Sequence, residues 1–173
     1  MSKIYVVGFM GVGKSTVGKK LARKLGYDFL DMDDAFEEKY KISIQDFFEK
    51  YGEELFRKLE HQLLKDTFTM ENVVISTGGG TVVCENAMEL MNKNGITIYL
   101  KMPVGALVKR LKNVKRKRPL IHGKKENEIE QVIEERMKER FPYYQTAKIE
   151  VDVTGIDVQE LVRKIKAQVE VME

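Results

Sequence analysis

The stretch GFMGVGKST, residues Gly8–Thr16, decides how the rest of this sequence is interpreted. It matches the pattern G-x-x-x-x-G-K-[ST] and lies between an apolar run, KIYVVG, and a stretch with helical spacing. Glycines at these places let backbone N–H groups converge on phosphate oxygens, and the following helix directs its positive end toward them. Lys14 then adds a charge at the β- and γ-phosphates, and the Ser15 hydroxyl can ligate Mg²⁺. We therefore predict a nucleotide-binding loop with contacts from Gly11, Val12, Gly13, Lys14, Ser15 and Thr16.

Beyond this loop, short runs of Val and Ile alternate with stretches that have helical spacing. Uniformly apolar strands that alternate with helices favour a parallel sheet covered on both faces. We therefore predict the α/β class, a three-layer sandwich with a five-stranded parallel sheet, as a single domain over residues 1–173. Strands are expected at about 3–7, 29–32, 72–77, 95–102 and 148–153. Helices are expected at about 14–25, 34–40, 43–52, 53–68, 86–94, 104–112 and 126–140, and from 157 onward.

Composition narrows the class of protein. Of 173 residues, 43% are hydrophobic and 33% are charged, which is typical of a folded domain rather than a disordered chain. The single cysteine, Cys84, excludes an internal disulfide and a multi-cysteine metal site, and two histidines are too few for a usual zinc site. We find neither a secretory signal pattern nor 18 consecutive apolar residues, and expect a cytoplasmic protein without a membrane span.

The net charge of +3 arises in one segment. Seven of the 30 Lys/Arg residues lie between Lys112 and Lys125, where there is no acidic residue, so 23 basic residues face 27 acidic ones elsewhere. Such a segment faces either solvent or an anionic ligand. A nucleic-acid-binding NTPase is one alternative, although the segment has no aromatic residue that could stack on single-stranded bases.

Three aspartates follow the second predicted strand in LDMDD, residues 30–34. Because residues two apart in a strand point the same way, we expect Asp31 and Asp33 to share one side and Asp34 to cap a helix. Beside the phosphate loop, one carboxylate can hold Mg²⁺ while the other orients or deprotonates a hydroxyl that attacks the γ-phosphate. Helix capping by all three is the alternative.

A second glycine-rich stretch, ISTGGGTVV, covers residues 75–83. Without Cβ atoms, the backbone of Gly79 and Gly80 can approach a small anionic ligand closely and donate N–H groups to it. The third strand should neighbour the first, so this loop is expected near the γ-phosphate. A helix stop or a loose turn is the alternative interpretation.

Two arginines also have two interpretations. Arg57 precedes Glu60 by three residues on a predicted helix, which is the spacing of a surface ion pair. Arg140 falls at a predicted helix end, where a cation interacts favourably with the helix dipole. Either guanidinium could instead bind a substrate carboxylate in bidentate fashion. His61 and Cys84 are interpreted as packing residues.

With the phosphate loop, the segments DMDD, FRKLE, TGGGTVV, RPL and RFPYY occur in this order, and the chain thereby resembles the shikimate kinase family over nearly its whole length. Members of that family transfer a phosphoryl group from Mg-ATP to the 3-hydroxyl of shikimate, giving shikimate 3-phosphate and ADP, on the route to chorismate and the aromatic amino acids. The resemblance implies a P-loop fold of the nucleoside-monophosphate-kinase type. It also implies substrate-binding helices at about 33–62 and a mobile lid at about 112–125.

The resemblance also assigns roles to residues. Ser15 and Asp31 match the metal site, Asp33 matches the residue on the substrate hydroxyls and candidate base, and Lys14 matches the phosphate-loop lysine. Arg118 in RPLI matches a lid arginine on the ATP phosphates, which makes the implied catalytic set Lys14, Asp33 and Arg118. The implied substrate contacts are Asp33, Arg57, Gly78, Gly79, Gly80 and Arg140, and Arg110 is expected near the adenine.

The sequence departs from the family in two places. The segment around RPL is unusually basic, and VDVTGID near the last strand lacks the proline of the family's adenine-binding turn. A nucleoside monophosphate kinase or a gluconate-type kinase is the alternative within kinases, although two arginines and three glycines favour a small carboxylate. We therefore expect shikimate and ATP as substrates, Mg²⁺ as cofactor, a monomer, and no nucleic-acid or membrane partner.

Overall fold

The computed structural model describes residues 3–113, 121 and 123–172. Strands lie at Lys3–Gly8 (β1), Asp28–Asp31 (β2), Val73–Ser76 (β3), Ile96–Lys101 (β4) and Ile149–Asp152 (β5). Helices lie at Lys14–Leu25 (α1), Met32–Tyr40 (α2), Ile44–Tyr51 (α3), Glu53–Asp66 (α4), Ala87–Asn94 (α5), Val104–Lys112 (α6), Glu126–Tyr144 (α7) and Val158–Met172 (α8).

The five strands form one parallel sheet in the order β2-β3-β1-β4-β5. The predicted α/β class and the predicted neighbourhood of the first and third strands are confirmed. The register pairs Val6 with Ser76 and Asp31 with Ser76, so the carboxyl ends of β1, β2 and β3 meet at one edge of the sheet. Ligands of open parallel sheets bind at this kind of edge.

Helices cover both faces of the sheet, as the apolar strands require. On β1, Ile4 and Val6 belong to the core under α1, α6, α7 and α8, whereas Tyr5 and Val7 belong to the core under α5. All four side chains are fully buried. Burying an apolar side chain contributes roughly 1.5–3 kcal/mol, so a strand buried on both faces is stable only between two helical layers. The predicted three-layer sandwich is confirmed.

Helices α2, α3 and α4 have a small core of their own. It is built from Phe36, Phe47, Phe56 and Leu63, which are all buried. The ring centroids of Phe36 lie 4.8 Å from Phe56 and 5.1 Å from Phe47, which is the range of favourable aromatic pairs. This aromatic core, defined by these four residues, positions the helices that were predicted to bind substrate.

The predicted boundary between the second strand and the following helix was wrong. The strand ends at Asp31 and helix α2 begins at Met32, because the Asp31 side chain is the N-cap and accepts hydrogen bonds from the backbone of Asp33 (3.0 Å) and Asp34 (3.4 Å). Asp34 is therefore not the cap. Asp33 lies in the first turn of a helix, so strand alternation cannot be the reason that it approaches Asp31.

An ion pair connects the two helices that flank the basic segment. Lys112 at the end of α6 forms an ion pair with Glu126 at the start of α7, and Ile121 is buried in the core. Arg118, and most of the predicted lid at 112–125, lie outside the described residues. Within the described part of the chain, no helix has the length and apolar character needed to cross a bilayer.

Candidate active site

The phosphate loop joins β1 to α1 through glycines in conformations that other residues rarely adopt. Gly11 and Gly13 have φ angles of 80° and 101°. The buried Lys14 Nζ donates hydrogen bonds to the carbonyls of Gly8 (2.9 Å) and Phe9 (3.0 Å). The loop therefore closes around its own lysine and holds the ammonium at a fixed position.

The N-terminus of α1 suits an anion. Gly13 provides no side-chain cap, and the first turn of α1 contains no acidic residue. The first N–H groups of a helix need acceptors and carry partial positive charge, which phosphate oxygens satisfy. The cleft at this point is lined by Gly11, Gly13, Lys14, Ser15, Thr16, Asp31, Asp33, Ser76, Thr77 and Gly79.

Of the remaining predicted nucleotide contacts, Val12 and Arg110 lie close by, and Arg118 is outside the described residues. The Val12 side chain is buried in the core, so only its backbone can face a nucleotide. Arg110 is exposed on α6, and its Nη1 donates to the carbonyls of Val12 (2.9 Å) and Gly11 (3.4 Å). The guanidinium therefore rests against the phosphate loop, and its expected place near the adenine remains a prediction.

The oxygen atoms that could hold Mg²⁺ are those of Ser15 and Asp31. The Ser15 hydroxyl donates to the Asp31 carboxylate and lies 3.4 Å from the Ser76 hydroxyl. Among the described residues, no group of three or more His, Cys, Asp and Glu side chains could hold a metal ion. Mg²⁺ commonly takes one or two protein oxygens and completes its shell with phosphate and water, so these residues fit an ion that arrives with a nucleotide.

A second cleft lies beside the first and contains all six predicted substrate-binding residues. Asp33 and Gly79 line both clefts, so the two are contiguous and meet at the Asp33 carboxylate. The second cleft encloses about 520 Å³, including space open to solvent. It is lined by Met10, Asp33, Ile44, Phe48, Phe56, Arg57, Glu60, Gly78, Gly79, Gly80 and Arg140.

Arg57 is held in this cleft by two carboxylates. Its Nη1 donates to Glu60 (2.8 Å) and its Nη2 to Glu53 (3.2 Å), while Thr81 donates to the other oxygen of Glu60 (2.6 Å). Burial disfavours the charged form, but Glu60 and then Glu53 hold the pKa of Arg57 above its ordinary value. Glu60 is only 3% exposed, so the interpretation as a surface ion pair was wrong, although the pair itself exists.

Arg140 lies inside α7 because the helix continues to Tyr144, past Pro142. It is 2% exposed, so its interpretation as a helix-end charge was also wrong. Its Nη1 donates to the Gly79 carbonyl (2.9 Å), and its guanidinium lies 5.1 Å from the centre of the Phe9 ring. Burial lowers the pKa of Arg140, Tyr144 partly offsets this, and the nearby Arg57 lowers it further.

Both arginines retain an unpaired donor. The Nε atoms of Arg57 and Arg140 are buried, and neither has a hydrogen-bond partner among the described residues. Both residues line the same cleft, and two guanidinium groups there favour an anionic ligand. A carboxylate, which accepts several hydrogen bonds at once, meets this requirement.

The three consecutive glycines provide space rather than unusual backbone angles. None of the three has a positive φ. A Cβ on Gly78 would lie 2.3 Å from Oε1 of Glu60, and one on Gly80 would lie 2.3 Å from Nη2 of Arg57. A Cβ on Gly79 would lie 3.1 Å from the backbone nitrogen of Met10. Gly79 and Gly80 do lie in a turn, but close neighbours surround all three glycines, so the turn is not a loose one, and close approach to a ligand remains a prediction.

The sequence predicted Glu60 only as a partner in an ion pair. It did not identify the apolar residues that line the second cleft, Ile44, Phe48 and Phe56. Glu60 connects Arg57 to Thr81 inside the cleft, and its i,i+3 spacing from Arg57 was the signal that could have marked it. Half-buried Cys84 contacts the same carboxylate (3.7 Å), which supports its interpretation as a packing residue. His61 is half-buried on α4 and does not line either cleft.

The turn between β5 and α8 is shaped by two aspartates. The Asp152 carboxylate accepts hydrogen bonds from the backbone N–H (2.9 Å) and the hydroxyl (2.5 Å) of Thr154. Asp157 accepts from the backbone N–H of Gln159 (2.8 Å) at the start of α8. Side-chain hydrogen bonds of this kind define a turn without proline.

Comparison with known proteins gives one consistent family. The family model for shikimate kinase matches residues 10–170. A shikimate kinase from Parabacteroides distasonis is 39% identical over 165 residues, covering 93% of this chain and 95% of its own. The structure of a shikimate kinase from Acinetobacter baumannii in complex with shikimate matches with a TM-score of 0.87 and 33% identity, covering 100% of this chain and 95% of that one.

A more distant structure shares the fold. A gluconokinase from Sinorhizobium meliloti 1021 matches with a TM-score of 0.53 and 17% identity, covering 96% of this chain and 90% of that one. At this identity the likeness shows the kinase fold alone and says nothing about the acceptor.

Proposed function

The chain belongs to the shikimate kinase family, and from that premise we propose how its residues transfer a phosphoryl group from ATP to the 3-hydroxyl of shikimate. Membership makes the chain an ATP-dependent kinase with an alcohol acceptor, on the shikimate pathway. The observation that carries the proposed division of roles is that the two clefts share Asp33 and Gly79. A donor phosphate in one cleft and a hydroxyl in the other meet at that junction.

The first cleft binds the ATP phosphates. The N–H groups of the phosphate loop and of the first turn of α1 bind the phosphate oxygens, and Lys14 neutralises charge that develops during transfer. The phosphate loop needs little rearrangement when ATP binds, because hydrogen bonds from Lys14 to the carbonyls of Gly8 and Phe9 already fix the loop and its lysine. Arg110 contributes from α6, and Arg118 from the basic segment.

The second cleft binds shikimate through its carboxylate. Arg57 and Arg140, which both line this cleft, supply the two guanidinium groups that bind the carboxylate. The carbon ring then lies against the apolar wall of Ile44, Phe48 and Phe56. Binding energy from the carboxylate positions a hydroxyl at the other end of the ring, where Asp33 lies.

Asp33 orients the attacking hydroxyl and accepts its proton as the bond to phosphorus forms. Its carboxylate lines both clefts, which is the position that this role requires. Ser15 and Asp31 would hold Mg²⁺ beside the phosphates. When bound, the ion neutralises charge on the phosphate oxygens and orients them.

We propose that the chain acts as one kinase domain over residues 1–173 and as a monomer. We place it in the cytoplasm, where ATP is supplied.

ADP release with Mg-ATP tests the proposal. Purified protein is assayed with no acceptor and with shikimate, gluconate or AMP. Strong stimulation by shikimate alone supports the proposal. Stimulation by gluconate or AMP and not by shikimate would overturn the proposed acceptor while leaving the nucleotide cleft intact.

A further inference from the structure

The carbonyl of Gly79 accepts two hydrogen bonds from α7. Arg140 Nη1 donates to it at 2.9 Å, and the Tyr144 hydroxyl donates to it at 3.0 Å. The two donors are one turn apart on the helix, so they approach the carbonyl together. Arg140 lines the substrate cleft, whereas Tyr144 lines neither cleft.

Tyr144 is held by burial and ring stacking as well as by this hydrogen bond. Its side chain is 1% exposed, and its ring stacks on Tyr99 with centroids 4.7 Å apart and planes at 7°. Burial raises the pKa of its hydroxyl, so the group remains a protonated donor at any working pH. The hydroxyl therefore presents a permanent hydrogen-bond donor to one oxygen, that of Gly79.

Binding of an anion by Arg140 creates a problem that Tyr144 can solve. A guanidinium that turns toward a carboxylate weakens its hydrogen bond to the Gly79 carbonyl. Gly79 is half-buried, so a carbonyl there that loses a donor is only partly resatisfied by water, and that cost would be subtracted from the affinity for the anion. A second donor removes this penalty.

We propose that Tyr144 is a positioning residue for the acceptor substrate: its hydroxyl keeps the Gly79 carbonyl satisfied and thereby releases the Arg140 guanidinium to bind the shikimate carboxylate. The inference rests on the proposed function, because it needs an anionic acceptor in the second cleft. Tyr144 acts through Arg140 and the 79–80 peptide and does not touch the reacting atoms.

The test compares two substitutions that each remove one buried phenol hydroxyl. Tyr144→Phe keeps the ring that stacks on Tyr99. Tyr5→Phe is the matched control, because Tyr5 is fully buried in the same core and its hydroxyl lies 3.1 Å from Thr67, which lines neither cleft. KM for shikimate, KM for ATP and kcat are measured for both variants and for the unchanged protein. Shikimate affinity is also measured by calorimetry without ATP.

For Tyr144→Phe we expect KM and Kd for shikimate to rise about tenfold, while KM for ATP and kcat change by less than about threefold. Tyr5→Phe should leave all of these values unchanged. A shikimate KM within about twofold of the unchanged protein for Tyr144→Phe overturns the inference, as does an equal rise for Tyr5→Phe. If the unchanged protein shows no shikimate-dependent ADP release, the proposed function itself fails, which is seen before any variant is compared.

Discussion

The two glycine-rich loops of this molecule use glycine for different reasons. In the phosphate loop, Gly11 and Gly13 adopt positive φ angles that other residues adopt only with strain. In the loop at residues 78–80 no φ is positive, and the glycines make room for Glu60, Met10 and Arg57. The first loop thus needs glycine for its own backbone conformation. The second needs glycine because side chains from other parts of the chain leave no room for a Cβ atom.

The largest expected effect comes from the residue where the two clefts meet. Asp33→Asn keeps the size of the side chain but removes the proton acceptor, so we expect kcat to fall about a thousandfold while KM for ATP changes little. ADP release under saturating shikimate and ATP measures this. Asp34→Asn is the matched control, because Asp34 is the exposed neighbour on the same helix turn and lines neither cleft. A fall of less than tenfold for Asp33→Asn would remove it from the proposed catalytic role.

The next largest effect is expected on the binding of shikimate in the second cleft. Arg57→Lys retains the charge that Glu60 and Glu53 require but loses the planar fork that suits a carboxylate, so KM for shikimate should rise about 30-fold. KM for ATP should not change. Lys58→Ala serves as the control, because Lys58 is the next residue along α4 and is exposed in an ion pair with Glu54. It should leave both KM values unchanged. Equal losses for both substrates would show that Arg57 supports the fold rather than the acceptor site.

A pair of alanine substitutions tests the comparison of the two loops directly. Gly80→Ala should displace Arg57 and raise KM for shikimate about tenfold, whereas Gly13→Ala should strain the phosphate loop and raise KM for ATP by a similar factor. Gly105→Ala on α6, where a Cβ would meet no atom within 4 Å, is the neutral control. If Gly80→Ala raised the KM for ATP instead, the loop at residues 78–80 would not serve the acceptor site separately from the phosphate loop.

The smallest change in activity is expected from chemical labelling of Cys84, the only cysteine of the chain. Burial, and then the Glu60 carboxylate, raise the pKa of its thiol to about 12, so the thiol stays protonated in the folded protein well above neutral pH. Labelling by a thiol reagent at about pH 8 should therefore be slow and should leave activity nearly unchanged. The same reagent should label the chain rapidly in urea, where the thiol has its ordinary pKa. Rapid labelling of the folded protein would contradict the described burial.

The sequence predicted the first cleft better than the second, and the reason is physical. The phosphate loop is built from consecutive residues, so a short pattern contains its geometry. The second cleft brings together Asp33, Arg57, Gly79 and Arg140 from four separate segments, and only the family resemblance related them before the structure did. From residues alone, Arg57 and Arg140 remained open to surface interpretations, because burial depends on how α4 and α7 pack.

Local boundaries were missed for a related reason. Which of the adjacent aspartates caps α2 depends on which backbone N–H groups each carboxylate reaches, and Asp31, the last residue of β2, is the one that reaches them. The continuation of α7 past Arg140 to Tyr144 could not be inferred either, because Pro142 usually signals the end of a helix. The first error misplaced Asp33 relative to the helix that follows β2, and the second placed Arg140 at the end of α7 rather than inside it, but both residues line the site.

The aromatic core of Phe36, Phe47, Phe56 and Leu63 packs α2, α3 and α4 against one another, while Met32 and Leu64 anchor these helices in the core of the sheet. In evolutionary terms this separates two inherited traits: how the kinase holds its donor and what it accepts. Substitutions at positions such as Ile44 and Phe48, which line the acceptor cleft but lie outside the core of the sheet, can reshape that cleft while the sheet and the phosphate loop continue to fold as before. A lineage can therefore acquire a new alcohol to phosphorylate by altering one contiguous stretch of its gene, together with the codons for Arg140 and the glycines it contacts.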